Sequence, residues 1–178
     1  KGSLAHRLYE EFLNANPDVS AINPGHVSEW VDKHIGALLE QEGARLLEPG
    51  RQAERERFII VLQESLEALV GHLLRARIIQ VQMELPQEGT YVGGKLSGFI
   101  DLLATRADGH EAVVDIKFGG KSYRRNALIG GSYLQLATYA QLRQGNGAAS
   151  PPALSYFIVN NSHMLSLNHN VFPEAESI

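Results

Sequence analysis

The hydrophobic positions of this chain follow one period in its first half and another in its second. From about Gly2 to Leu13, Leu4, Leu8, Phe12 and Leu13 recur near helical spacing, and Asn14 to Pro17 ends the run. A second helix is predicted from Val27 or Ser28 to about Leu47, with Trp30, Ile35, Leu38 and Leu39 inward and Pro49-Gly50 behind it. The third is the clearest. Phe58, Leu62, Leu66, Leu69 and Leu73 form one apolar stripe at i, i+4, i+8, i+11 and i+15, predicted to stop near Arg77.

The period then falls to two. From Ile79 to Leu85 apolar and polar residues alternate, the pattern of a half-buried strand, and Pro86 to Gly89 reads as a turn. A second strand is predicted from about Tyr91 to Thr105, with Asp108-Gly109 as a hairpin turn before a third strand, Ala112 to Phe118. Gly119-Gly120 breaks that strand, and a polar loop rich in basic residues is expected after it. A helix from about Tyr133 to Arg143, a linker around Gly145 to Pro152, a last strand from Leu154 to Val159 and an irregular polar tail complete the chain. The expected organisation is a single domain: a helical part over 1–77, a β-β-β-α-β core over 78–160 and a tail over 161–178.

Composition narrows the class without naming a function. At 178 residues, 44% hydrophobic and 20% charged, the chain has the size and balance of one globular domain. No apolar run is long enough to span a bilayer and no secretory leader pattern is present, so no membrane partner is expected. The chain has no cysteine, which excludes a disulfide, a cysteine-ligated zinc or an iron–sulfur cluster built from its own residues. A cytoplasmic location is the expectation. Lys1-Gly2-Ser3-Leu4 enters a helical pattern without an initiator methionine, so the chain is expected to be a piece of something larger. A net charge of −4 counts mildly against a nucleic-acid partner, but a local basic groove would suffice for one.

The chemistry is concentrated in two neighbouring strands. Side chains two apart on a strand share a face, so Asp115 and Lys117 project together while Val114, Ile116 and Phe118 point the other way. The preceding strand carries Asp101 in Gly98-Phe99-Ile100-Asp101, on the face of Lys95, Ser97 and Phe99. Asp101 could be a surface acid paired with Lys95, but an acid between apolar pairs is costly to bury without a cation. Asp115 and Lys117 could likewise belong to a solvated edge strand, yet Val113, Val114, Ile116 and Phe118 describe a central one. Two carboxylates and an ammonium on one patch can hold a divalent cation and offset charge on a phosphate under attack.

This element order, with an acid in the second strand and D-x-K in the third, resembles the PD-(D/E)XK nuclease superfamily. The likeness narrows to the RecB-like branch, nuclease domains of bacterial helicase–nuclease machines. Gly2-Ser3-Leu4-Ala5-His6-Arg7-Leu8-Tyr9-Glu10 resembles that branch's N-terminal helical motif, and Gln135-Leu136-Ala137-Thr138-Tyr139 resembles its Q-x-x-x-Y helix. The resemblance implies an α/β, restriction-endonuclease-like core: a central mixed β-sheet flanked by helices, with an N-terminal helical segment. It implies that His6, Asp101, Asp115 and the carbonyl of Ile116 hold Mg²⁺ or Mn²⁺, and that Lys117 serves the attacking water and the phosphate. Gln135 and Tyr139 would contact substrate backbone or position Lys117. Some members of the branch carry a cysteine-bound iron–sulfur cluster; a chain without cysteine fits the cluster-free type.

The implied function is a metal-dependent DNA nuclease, an exonuclease-type domain of a repair or recombination protein, with DNA as substrate and a helicase domain or subunit as partner. The alternative is a non-catalytic DNA-binding or scaffolding domain of the same fold. Glu10 is expected to support the site or pair with an arginine; Glu84, on the polar strand face with Gln80 and Gln82, could approach the site, and a solvated face is the expectation. Lys121, Arg124 and Arg125 read equally as a solvated loop or as phosphate contacts. His163 and His169 lack partners at ligand spacing and fall in the expected polar tail. Gly119-Gly120-Lys121-Ser122 mimics the end of a phosphate-binding loop, but the full G-x-x-x-x-G-K-S/T pattern needs a glycine where Asp115 stands. Gly93-Gly94-Lys95 fails because Leu96 replaces the hydroxyl, so no nucleotide site is expected.

Overall fold

The computed structural model describes residues 1–91, 94–145, 150–167 and 171–178. Helix α1 (Gly2–Ala15), α2 (Val27–Glu42), the single turn α3 (Ala44–Leu47) and α4 (Gln52–Arg75) precede three strands, β1 (Ile78–Tyr91), β2 (Gly94–Arg106) and β3 (Glu111–Lys117). Helices α5 (Lys121–Ile129) and α6 (Leu134–Gly145) follow, then β4 (Ala153–Ile158), β5 (His163–Ser166) and the short β6 (Glu176–Ser177). The strands lie in one sheet in chain order, β1 to β6. Pairing is antiparallel from β1 to β3, parallel between β3 and β4, antiparallel to β5 and parallel to β6. The parallel step needs a crossover, which α5 and α6 supply.

Each sheet face has its own core. Leu8 and Phe12 of α1, Ile35 of α2 and the α4 stripe of Leu62, Leu66, Leu69 and Leu73 pack with Leu102, Val114, Ile116 and Phe157. On the other face Ile100, Leu103, Val113 and Tyr156 meet Leu128, Leu136, Tyr139 and Leu142 of α5 and α6. The α4 leucines are completely buried, and each contributes about 1.5–3 kcal/mol of burial energy. Alternation along β3 fixes the layering: Val114 and Ile116 face the first core, Val113 the second.

The second helix does not run to Leu47: it breaks at Gly43, where an added Cβ would lie 2.7 Å from Leu39 Cδ2 and 2.9 Å from its backbone. Pro86 to Gly89 is no turn. β1 continues through it, and Pro86, lacking an N–H, is tolerated because β1 is the sheet's edge strand. Nor does the stretch from Ile79 to Leu85 alternate on one face. The register shifts between Ile78 and Gln80, leaving Ile79 exposed, and Glu84 has φ +47°, so that Met83 packs on the first core and Leu85 on the second.

The basic loop after Gly120 is helix α5, started by Gly120 at φ +83°. The polar tail contains β5 and β6, so the order after the helices is β-β-β-α-α-β-β-β. Residues 146–149 of the expected linker, Gly93 and His169 lie outside the described residues.

Candidate active site

The site begins where two strands part. β2 and β3 pair from Thr105 opposite Glu111 to Leu102 opposite Val114. One residue further, the Asp101 carboxylate takes over: its Oδ2 accepts the Ile116 N–H at 2.8 Å. The side chain replaces a ladder acceptor, so the buried amide stays satisfied while the strands diverge. The resulting fork lies at the junction of the two helix layers.

Helix α1 reaches the fork from the first layer. His6 Nε2 lies 2.7 Å from the Ile116 carbonyl, which can only accept, so Nε2 carries the proton. The same nitrogen is 3.7 Å from Asp101 Oδ2, and His6 Nδ1 is 3.6 Å from Glu84 Oε1. One donor atom from each of His6, Glu84 and Asp101 falls within 4.8 Å of the others. Glu84, which the sequence pattern places by preference on a solvated face, stands instead with His6 and Asp101. Nothing in an alternating strand announces it; the left-handed backbone at φ +47° marks the break in alternation where it joins the group.

Asp115 and Lys117 approach from the second layer. Lys117 Nζ donates to Asp115 Oδ1 at 2.9 Å. Asp115 is 1% exposed, and its Oδ2 is buried without a hydrogen-bond partner. Burial first, and the neighbouring Asp101 charge second, push its carboxyl up to about 6 against the opposing pull of Lys117. An orphaned, buried carboxylate oxygen beside a second carboxylate is costly unless a cation joins it. The group of His6, Glu84 and Asp101 offers two carboxylates and one imidazole, mainly hard oxygen donors of the kind that suit Mg²⁺ or Mn²⁺; Asp115 lies outside this group.

The other expected site residues scatter around this fork. Tyr139 is buried against Gly98 of β2, where a Cβ would come within 3.0 Å of its ring, and Gln135 Nε2 donates to its hydroxyl at 3.4 Å. Neither is hydrogen-bonded to Lys117. Glu10 pairs with Arg7 at 3.2 Å, and that ion pair is exposed. In α5 Lys121 and Arg125 both bind Glu176 of β6, at 3.0 and 2.6 Å, and His163 adds a contact at 2.8 Å. His163 thus has a partner that its sequence neighbourhood does not reveal. Arg124 instead stacks its guanidinium over Tyr123 and Tyr156, 4.9 and 5.5 Å from the ring centres. Tyr156 is the register partner of Asp115, so Arg124 is the basic side chain of α5 that approaches the fork.

No helix of the described residues is long and apolar enough to cross a membrane. No curated protein matches the sequence. The model of the PD-(D/E)XK nuclease superfamily matches residues 1–176. It spans the α1 histidine, both acid-bearing strands and the α6 helix, and the six-stranded mixed sheet between helical layers is the restriction-endonuclease-like architecture. The chain belongs to the PD-(D/E)XK nuclease superfamily.

Proposed function

We propose that this domain is a divalent-metal-dependent deoxyribonuclease of the RecB-like branch, an exonuclease-type domain of a repair or recombination protein that works with a helicase domain or subunit. The observation that carries the metal dependence is the buried, unpartnered Asp115 oxygen beside the group of His6, Glu84 and Asp101. These four side chains, with the Ile116 carbonyl, would hold Mg²⁺ or Mn²⁺. When bound, the ion supplies Lewis-acid stabilisation of the phosphate's developing charge.

The chain's own groups do the rest. His6 would hold the ion through a ring nitrogen, and Glu84, 3.6 Å from Nδ1, is placed to orient the imidazole. Lys117 orients the attacking water and offsets charge on the phosphoryl oxygens, and Asp115 fixes the ammonium for that task. The water oxygen attacks phosphorus in line, the bond to the leaving sugar oxygen breaks, and a phosphate monoester and a hydroxyl result. Arg124 and the pair of Gln135 and Tyr139 flank the fork as contacts to the sugar–phosphate backbone. Lys121 would join them only by leaving Glu176.

Cleavage of end-labelled DNA in Mg²⁺, Mn²⁺ or EDTA tests this reading. Cleavage that requires the metal supports it. No cleavage of any DNA, together with no specific divalent-metal site in calorimetry, would instead indicate a scaffolding domain.

A further inference from the structure

Beyond the fork, β1 and β2 continue together as a two-stranded arm. Their pairing runs unbroken from Leu85 opposite Ile100 to Thr90 opposite Lys95. One face of this arm is covered by α6: Leu85, Leu96 and Ile100 belong to the second core, Gly98 is pressed against Tyr139, and Gly89 against Leu142. The opposite face is solvent-facing, with Pro86, Glu88, Thr90, Lys95, Ser97 and Phe99 all exposed.

Phe99 is 56% exposed and stands two residues before Asp101 in β2, about 6.6 Å away along the backbone. Its register partner is Pro86, so an aromatic ring and a proline lie side by side as one apolar platform. Glu84 and Asp101, both donors of the metal group, lie at the fork end of the two strands that form it. The arm's open face carries one lysine and one glutamate, so charge does not explain what it would bind. What it offers is a flat π-surface next to the reacting centre.

We propose that Phe99, backed by Pro86, is a stacking platform that seats an unpaired base of single-stranded DNA beside the phosphate being cut; this rests on the nuclease reading above. Bases within a duplex are already stacked on both faces and leave none for a protein ring, so the platform selects unpaired ends and single strands. Phe99 then sets where along the strand the scissile phosphate falls, without touching the chemistry.

The test uses the Lys117→Ala protein in Mg²⁺, so that DNA binds without turnover, and a single strand carrying the fluorescent base 2-aminopurine. Binding should quench the probe. Adding Phe99→Ala should weaken single-strand affinity about tenfold and remove the quenching, while Phe99→Trp restores both. Affinity for blunt duplex and the thermal midpoint should not change, because Phe99 is exposed. Equal single-strand affinity and quenching with and without Phe99, or an equal loss on single strand and duplex, overturns the platform. If the wild type cleaves DNA while Phe99→Ala leaves binding unaltered, this inference alone falls. If the wild type neither binds nor cleaves DNA, the nuclease reading falls and takes the platform with it.

Discussion

Lys117 Nζ holds one oxygen of Asp115 at 2.9 Å, and the other oxygen of that carboxylate is buried with no partner. Satisfying one oxygen and orphaning the other costs stability in the metal-free protein and leaves a site prepared for a cation. Asp115→Asn removes the buried charge. Without metal the variant should therefore melt above wild type, by on the order of 1 kcal/mol or about 2–4 °C. In Mg²⁺ the order should reverse, because only the wild type gains from the ion. Melting curves in EDTA and in Mg²⁺ check this; a variant less stable than wild type in both would contradict it.

The same carboxyl makes stability depend on pH. Its ordinary value is 3.8, and burial followed by the Asp101 charge raises it to about 6 in the folded state. Between those values the folded state binds more protons than the unfolded state, so metal-free stability should fall as pH rises through that window and level off above about 6. Metal affinity should move the opposite way, rising as the proton leaves. Thermal midpoints in EDTA, measured from pH 4 to 7 for wild type and Asp115→Asn, give the comparison. The variant should lack this component of the slope.

Gly98 is one of the contacts through which α6 meets the arm. A methyl group there would sit 3.0 Å from Tyr139 Cε1 and 3.2 Å from its hydroxyl. Gly98→Ala should cost about 1–3 kcal/mol by forcing the ring aside. Combined with Tyr139→Leu, the cost of Gly98→Ala should shrink, because the clashing ring is gone. Denaturant unfolding of the two single variants and the double variant measures the coupling, and strict additivity would count against this packing.

Glu176 ties the last strand to α5 through Arg125, Lys121 and His163, and these hydrogen bonds hold its carboxyl down at about 2. A depressed acid stabilises above its unfolded value and loses that contribution as pH falls toward the folded one, so this latch should survive mild acid. Glu176→Gln should raise amide exchange in β5 and β6 at neutral pH while leaving β3 protected. Unchanged exchange in β5 would show that the latch does not hold that strand.

The helices and central strands were legible because burial there is periodic. The α4 leucines and the alternating β3 residues each have one consistent environment, and pattern reports environment. Helix α5 was not legible, since only Ala127 and Leu128 of its residues are buried and its exposed positions include Ile129 and Tyr123 among polar residues, so no apolar stripe forms. Pro86 hid the length of β1, because proline is excluded from central strands but not from an edge. Asp101, Asp115 and Lys117 stood out as charges within apolar runs. Glu84 did not: its approach to His6 depends on a single left-handed residue, a backbone choice that an alternating pattern does not encode. The Glu176 contact with His163 spans 13 residues and lies beyond any local period.

The most direct test of the proposed function is cleavage of labelled single- and double-stranded DNA by wild type and Lys117→Ala, side by side in Mn²⁺, with calorimetry showing how much metal each binds. Lys117→Ala should still bind metal, since Asp115, Asp101, Glu84 and His6 remain, but should lose cleavage by at least about a hundredfold. Equal cleavage by the two proteins would contradict it, because the ammonium paired with Asp115 would then have no part in the reaction.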